Sequence, residues 1–209
     1  MKRFDLRRGE QREEALRAAA ESVQRGQLLL FPTDTLYGIG ADALNEEAVE
    51  RVLEAKCRPK DKPLLVLVSC LDALRRLCSP LSPWQKRCCD RLWPGPVTLL
   101  LPALPGLPDG IEKDGKIGVR LPAGQPVVRI LEAVGRPLVA PSANRAGEAP
   151  SLTADEALGA FSRFVEIVLD NGPCANAAPS TVVDLGDGSF SVVRAGVLSE
   201  EEIREAVKE

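Results

Sequence analysis

The sequence contains no histidine. That removes Ser-His-Asp and Cys-His catalysis, along with the acid-base schemes that run through an imidazole near neutral pH. The six cysteines, Cys57, Cys70, Cys78, Cys88, Cys89 and Cys174, include no C-x-x-C pair, so nothing resembles a zinc site. Most of them fall in expected helices and strands, which reads as reduced thiols in a cytoplasmic protein. Aromatic residues are scarce at 4%, with one tyrosine, which argues against a surface that stacks successive bases. A surplus of positive charge is missing too: 27 Lys and Arg face 30 Asp and Glu, for a net charge of -3. A basic coat is thereby excluded, whereas a local basic patch is not. There is no long apolar run either. The longest, at 27–31 and 64–68, are strand length and far short of the ~20 residues a membrane helix needs. The basic start MKRFDLRRGE has no apolar segment behind it, so neither a signal peptide nor a membrane anchor is expected.

What remains is an ordinary globular composition, 44% hydrophobic and 27% charged over 209 residues, suited to one domain spanning 1–209 with its motifs between about 26 and 196. Residues 10–25 pattern as an amphipathic helix stopped by Gly26, and Asn45 caps a second helix with Ala48, Val49, Val52 and Leu53 on its inner face. Ser82-Pro83-Trp84-Gln85, Thr153-Ala154-Asp155-Glu156 and Ser199-Glu200-Glu201-Glu202 are three further helix starts of capping-box type. Strands are expected at 27–31, 64–68, 97–101, 117–121, 137–140, 165–169, 181–185 and 191–194. The run at 64–68 is apolar on both faces, as a sheet covered by helices requires. The Pro- and Gly-rich stretch 102–115 reads as an exposed excursion. Interleaved strands and helices predict a single α/β domain built on a twisted mixed sheet flanked by helices.

Polar loops follow several of these strands, which is where α/β proteins place ligands. In Phe31-Pro32-Thr33-Asp34-Thr35-Leu36-Tyr37-Gly38-Ile39-Gly40, three hydroxyls could bind a small polar substrate while the glycines let it near the backbone. A turn that satisfies its own polar groups is the alternative. Lys56, Arg58, Lys60 and Lys62 recur at every second position, so an extended backbone would point all four one way, towards a polyanion such as a triphosphate. A solvated loop is the alternative there. Ser142 and Asn144, straight after a strand, could both reach one pocket, and Pro179-Ser180-Thr181 repeats the arrangement. Arg120 and Arg194 stand within apolar strands. Such a guanidinium needs an anion or a structural carboxylate beside it. The inventory is cations and neutral donors without an obvious base or nucleophile. That suits adenylyl transfer, where phosphate charge is neutralised and an attacking carboxylate is held in line.

Six ordered motifs together resemble the YrdC/Sua5 family of threonylcarbamoyl-adenylate synthases. They are the Pro32 to Gly38 segment, Lys56-x-Arg58-Pro59 with Pro63-Leu64, Trp93-Pro94-Gly95-Pro96-Val97-Thr98, Val119-Arg120, Pro141-Ser142-Ala143-Asn144, and Ser180-Thr181-Val182-Val183-Asp184 followed by Arg194-Ala195-Gly196. The resemblance implies a YrdC/RibB-like fold around a positively charged cavity. It implies that ATP, L-threonine and bicarbonate are combined into threonylcarbamoyl-AMP and pyrophosphate, with Mg²⁺ assisting. The product would supply a tRNA modification completed by a separate threonylcarbamoyl transferase complex. By motif position, Lys56, Arg58, Ser142 and Asn144 would serve the phosphates and the reaction centre, joined by Arg194 and Lys60. Thr35, Arg120 and Ser180 would shape the amino-acid pocket. The sequence departs from the family's pattern at Leu67, Ala140 and Pro179, all near that pocket. Two rival readings stay open: a double-stranded RNA-binding protein, as short relatives of this fold are linked to ribosomal RNA maturation, and a related ATP-dependent carbamoyl-transfer enzyme with another substrate.

Overall fold

A computed structural model describes residues 1–145, 147–174 and 178–208. In chain order the elements are β1 (Lys2–Asp5), α1 (Gly9–Gln24), β2 (Leu28–Pro32), β3 (Tyr37–Asp42), α2 (Glu46–Lys56) and β4 (Val66–Leu67). A 3-10 turn (Leu71–Arg76) leads to α3 (Pro83–Leu92), β5 (Val97–Pro102), β6 (Glu112–Lys113), β7 (Lys116–Arg120), α4 (Val127–Val134) and β8 (Leu138–Val139). The chain closes with α5 (Ala154–Phe161), β9 (Val165–Asp170), β10 (Thr181–Leu185), β11 (Phe190–Arg194) and α6 (Glu200–Val207).

Among the described residues one mixed sheet runs in the order β1-β9-β2-β3-β8-β4-β7-β5-β10-β11, with β6 paired outside this path to β7. Alternation along its strands feeds two cores. In β2, Leu29 and Phe31 pack with Ala15, Ala19, Val127, Ile130 and Leu131 from α1 and α4, whereas Leu28 and Leu30 join the cluster that holds α2, α3, α5 and α6. Helices on both faces explain why β2 is buried at every position. Each fully buried Leu or Phe contributes about 1.5–3 kcal/mol. The caps form as expected: Asn45 accepts from Ala48 N, and Ser82, Thr153 and Ser199 each make a capping box.

Several expectations are corrected. The segment 37–42, read as loop, is strand β3, paired with β2 and β8. The run 64–68 shortens to a two-residue strand, because Leu64 N bonds Gly110 O rather than a strand neighbour. That bond anchors the 102–115 excursion, whose Ile111 is buried in the core. Strand β1 has the composition of a loop, yet it pairs in parallel with β9 at the sheet edge.

Candidate functional site

The sheet presents one open patch. Thr98 and Leu100 of β5, Gly118 of β7, and Val182 and Asp184 of β10 all face the same way. Their register sets Thr98 beside Val182 and Leu100 between Asp184 and Gly118. This patch forms the floor of a cavity of about 550 Å³ whose walls include Arg58, Leu65, Ser142 and Arg194, a size suited to a small-molecule or nucleotide ligand. Gly118 keeps the floor flat: a Cβ there would sit 3.4 Å from Leu100 and 3.5 Å from Thr98. Lys116 Nζ donates to both oxygens of Asp184 at 2.6 and 2.7 Å, closing one end of the floor.

The opposite end is cationic. Arg58 donates to the carbonyls of Lys62 and Pro63, and Arg194 donates to Ser180 O at 2.8 Å. Among the described residues neither has a carboxylate within ion-pair distance. Burial lowers both guanidinium pKa values, and Arg58 lowers that of Arg194 further by repulsion. Half-buried Arg58 and the more exposed Arg194, both lining this end of one cavity, make it attractive to an anion.

A second, smaller pocket of about 60 Å³ adjoins it, lined by Thr33, Thr35, Arg120, Ala140, Pro179 and Ser180 among others. The two cavities share Leu65, Ser142 and Arg194 as common wall. Arg120, 3% exposed, donates through Nε to Gly95 O at 3.0 Å, through Nη1 to Thr35 Oγ1 at 3.4 Å and through Nη2 to Asp34 Oδ2 at 2.5 Å. Its structural carboxylate is therefore Asp34, which also accepts Ala123 N. A guanidinium has five N–H groups, so two remain for a ligand. Ser180 Oγ meets Thr98 Oγ1 at 2.8 Å beneath the pocket. Gly196 packs directly against this segment, where a Cβ would collide with the 179–181 backbone at 2.4 Å.

The first loop serves the site only in part. Thr33 satisfies itself, donating to Leu36 O at 2.7 Å and accepting from Thr35 N and Leu36 N. Thr35, 5% exposed, faces the small pocket. Tyr37 does not reach it with its hydroxyl: Oη lies 2.8 Å from Gly172 O and 3.2 Å from Asp170 Oδ1, and accepts Asn171 N. Gly40 answers to packing, because a Cβ there would meet the Phe31 ring at 2.7 Å, whereas Gly38 lines the small pocket.

The expectation that Lys56, Arg58, Lys60 and Lys62 point one way is also corrected. Helix α2 continues through Lys56, and Cys57 in the left-handed conformation (φ 49°) turns the chain before Arg58. Lys56 is directed inward, 3% exposed, with Nζ 2.5 Å from the carbonyl oxygens of both Ser142 and Asn144. Lys60 is outside the cavity, paired with Glu50 and Asp109 at 3.4 and 3.7 Å. Asn144 supports the loop: its amide donates to Arg145 O and Glu148 O, and its carbonyl accepts the Ser142 hydroxyl. Of the nine expected site residues, Arg58, Ser142 and Arg194 line the large cavity, and Thr35, Arg120 and Ser180 the small one. Lys56 and Asn144 lie behind the wall, and Lys60 lies on the surface. Thr98, Leu100, Gly118 and the Lys116–Asp184 pair were missed. Period-two alternation along β5, β7 and β10 carries the signal for them.

Among the described residues no three acidic or sulfur ligands cluster. No helix among the described residues is long and apolar enough to cross a membrane.

Known proteins are similar to this chain over most of its length. The Sua5_yciO_yrdC family model, described as "Telomere recombination", matches residues 21–196. The chain is 36% identical over 195 residues to the threonylcarbamoyl-AMP synthase of Pyrococcus abyssi, covering 93% of this chain and 57% of that protein. It is 35% identical over 205 residues to a putative threonylcarbamoyl-AMP synthase of Mycobacterium tuberculosis, covering 98% and 94%. Among solved structures it is similar to P. abyssi Sua5 complexed with L-threonine, with a TM-score of 0.86 at 35% identity, covering 91% of this chain and 56% of that one. The chain thus spans little more than half the length of the P. abyssi protein and nearly all of the mycobacterial one.

Proposed function

The chain belongs to the Sua5/YciO/YrdC family, and from this premise we propose that it is an L-threonylcarbamoyladenylate synthase, converting L-threonine, bicarbonate and ATP into threonylcarbamoyl-AMP and pyrophosphate. The observation that carries this reading is the shared wall. A nucleotide-sized cavity and a smaller polar pocket meet at Leu65, Ser142 and Arg194, so ligands in the two would meet at that wall.

In this reading the nucleoside lies on the flat floor around Gly118 and its phosphates run towards Arg58 and Arg194. Threonine's carboxylate takes the two N–H groups that Arg120 has left, and its amine faces the shared wall. The neutral amine adds to the carbon of bicarbonate-derived CO₂ and gives up a proton, yielding a carbamate. A carbamate oxygen then attacks the α-phosphorus of ATP while the bond to the β-phosphate oxygen breaks, releasing pyrophosphate. Arg58 and Arg194 stabilise the charge that builds on the phosphates. The enzyme's work is placement and neutralisation, consistent with a site without histidine or activated nucleophile. The product would serve tRNA N6-threonylcarbamoyladenosine formation by a downstream transferase complex in the cytoplasm.

The test is pyrophosphate release by purified protein with ATP, Mg²⁺ and bicarbonate, with and without L-threonine. Release that requires both bicarbonate and threonine is expected. Release with a different amine would move the reading to another carbamoyl substrate, and absence of release alongside tight binding of double-stranded RNA would replace it.

A further inference from the structure

We propose that Lys56 is a positioning residue: it clamps the 142–144 turn through the backbone carbonyls and makes no contact with the phosphates of the nucleotide. Its catalytic consequence rests on the synthase reading, whereas the clamp itself does not.

Lys56 is the last residue of α2, where the helix dipole favours a cation. Its ammonium has three donors. Two are spent at 2.5 Å on the carbonyls of Ser142 and Asn144, and the Phe161 ring centroid lies 5.8 Å from the nitrogen. The side chain lines neither cavity. A phosphate could reach it only by displacing the turn that forms the wall between the two ligands. The turn is held from its other side by strand β3, where Ala143 N bonds Tyr37 O at 2.7 Å and Ile39 N bonds Pro141 O at 3.0 Å. Ser151 Oγ donates to Ala143 O, and Lys56 grips the two alternate carbonyls on either side of it. The Ser142 hydroxyl is thereby kept on the shared wall. The two cations of the Lys56-x-Arg58 pair divide their labour: Arg58 faces the nucleotide cavity, and Lys56 faces the protein.

Two measurements test this. In Lys56→Met, the dissociation constant for adenosine 5′-(β,γ-imido)triphosphate is expected to stay within about threefold of wild type, while kcat falls by about a hundredfold and amide exchange at Ala143 and Asn144 accelerates. Loss of nucleotide affinity by about tenfold or more with unchanged exchange in the turn would overturn the clamp. In wild-type protein carrying ¹⁵N-lysine, the Lys56 ammonium resonance is expected to be slow to exchange and unmoved by the analogue. This readout decides the question even if the variant does not fold, and a resonance that moves with phosphate binding overturns the proposal. If wild type binds no nucleotide, the synthase reading fails. The exchange of the 142–144 amides in Lys56→Met, or of the ammonium itself, still settles the clamp.

Discussion

Arg120 and Asp34 form a buried ion pair at 2.5 Å, with the guanidinium side chain 4% and the carboxylate 18% exposed. Strand β7 is thereby tied to the loop between β2 and β3. Removing one member leaves the other charged and desolvated, which typically costs about 3–5 kcal/mol. Asp34→Ala is therefore expected to lower the unfolding free energy by about 3 kcal/mol in urea titration. Combined with Arg120→Ala, the loss should fall short of the sum of the two single variants. Strict additivity would mean that the pair is not coupled.

In the proposed reading, Arg120→Met removes the two N–H groups that would hold the amino-acid carboxylate. The threonine KM is expected to rise by roughly ten- to a hundredfold, with the KM for ATP within about twofold. Steady-state kinetics with each substrate varied in turn provide the check. Equal effects on both substrates would place the amino acid elsewhere.

Gly118→Leu fills the floor of the larger cavity. A Cβ alone makes ordinary contacts there, so Gly118→Ala should fold and bind as wild type does. The branched side chain of leucine would occupy the space given to the nucleoside. Loss of nucleotide binding by calorimetry in the leucine variant only is the expected outcome, and binding by both would move the nucleoside off the floor.

Lys56 also predicts an unusual pH dependence. Burial, reinforced by repulsion from Arg58 and opposed by Glu148, pushes its pKa down from 10.5 to about 8. Between those values the unfolded chain holds a proton that the folded chain has released. The contribution of this residue to stability therefore rises with pH across the window and is constant below it. The difference in unfolding free energy between wild type and Lys56→Met should grow in favour of wild type from pH 8 to 10, by at most on the order of 3 kcal/mol. A difference that stays flat would mean that the folded pKa is not lowered.

Local features were legible in the sequence, and relationships across the sheet were not. The caps at Asn45, Ser82, Thr153 and Ser199 depend on three or four consecutive residues, and each forms as read. The Lys56 to Lys62 alternation misled because it presumed an extended chain, while the helix runs on to a left-handed Cys57. Tyr37 to Gly40 reads as loop because Gly38 and Gly40 dilute its apolar pattern. Gly40 admits the Phe31 ring from the neighbouring strand. Which aspartate pairs with Arg120 could not be read from a separation of 86 residues. The wall shared by two cavities is likewise a product of the strand order, and that order leaves no trace in any one segment.

The floor of the larger cavity has a consequence for the order of assembly. Its neighbouring strands β5 and β10 are joined in parallel, and Thr98 and Ser180, bonded across them, lie 82 residues apart. Such a pairing must await closure of a long loop, so it belongs to the slow steps of folding. In the proposed reading, a nucleotide lying on residues of both strands would bind only chains that have completed this step, and ATP would draw the population towards the finished sheet by mass action.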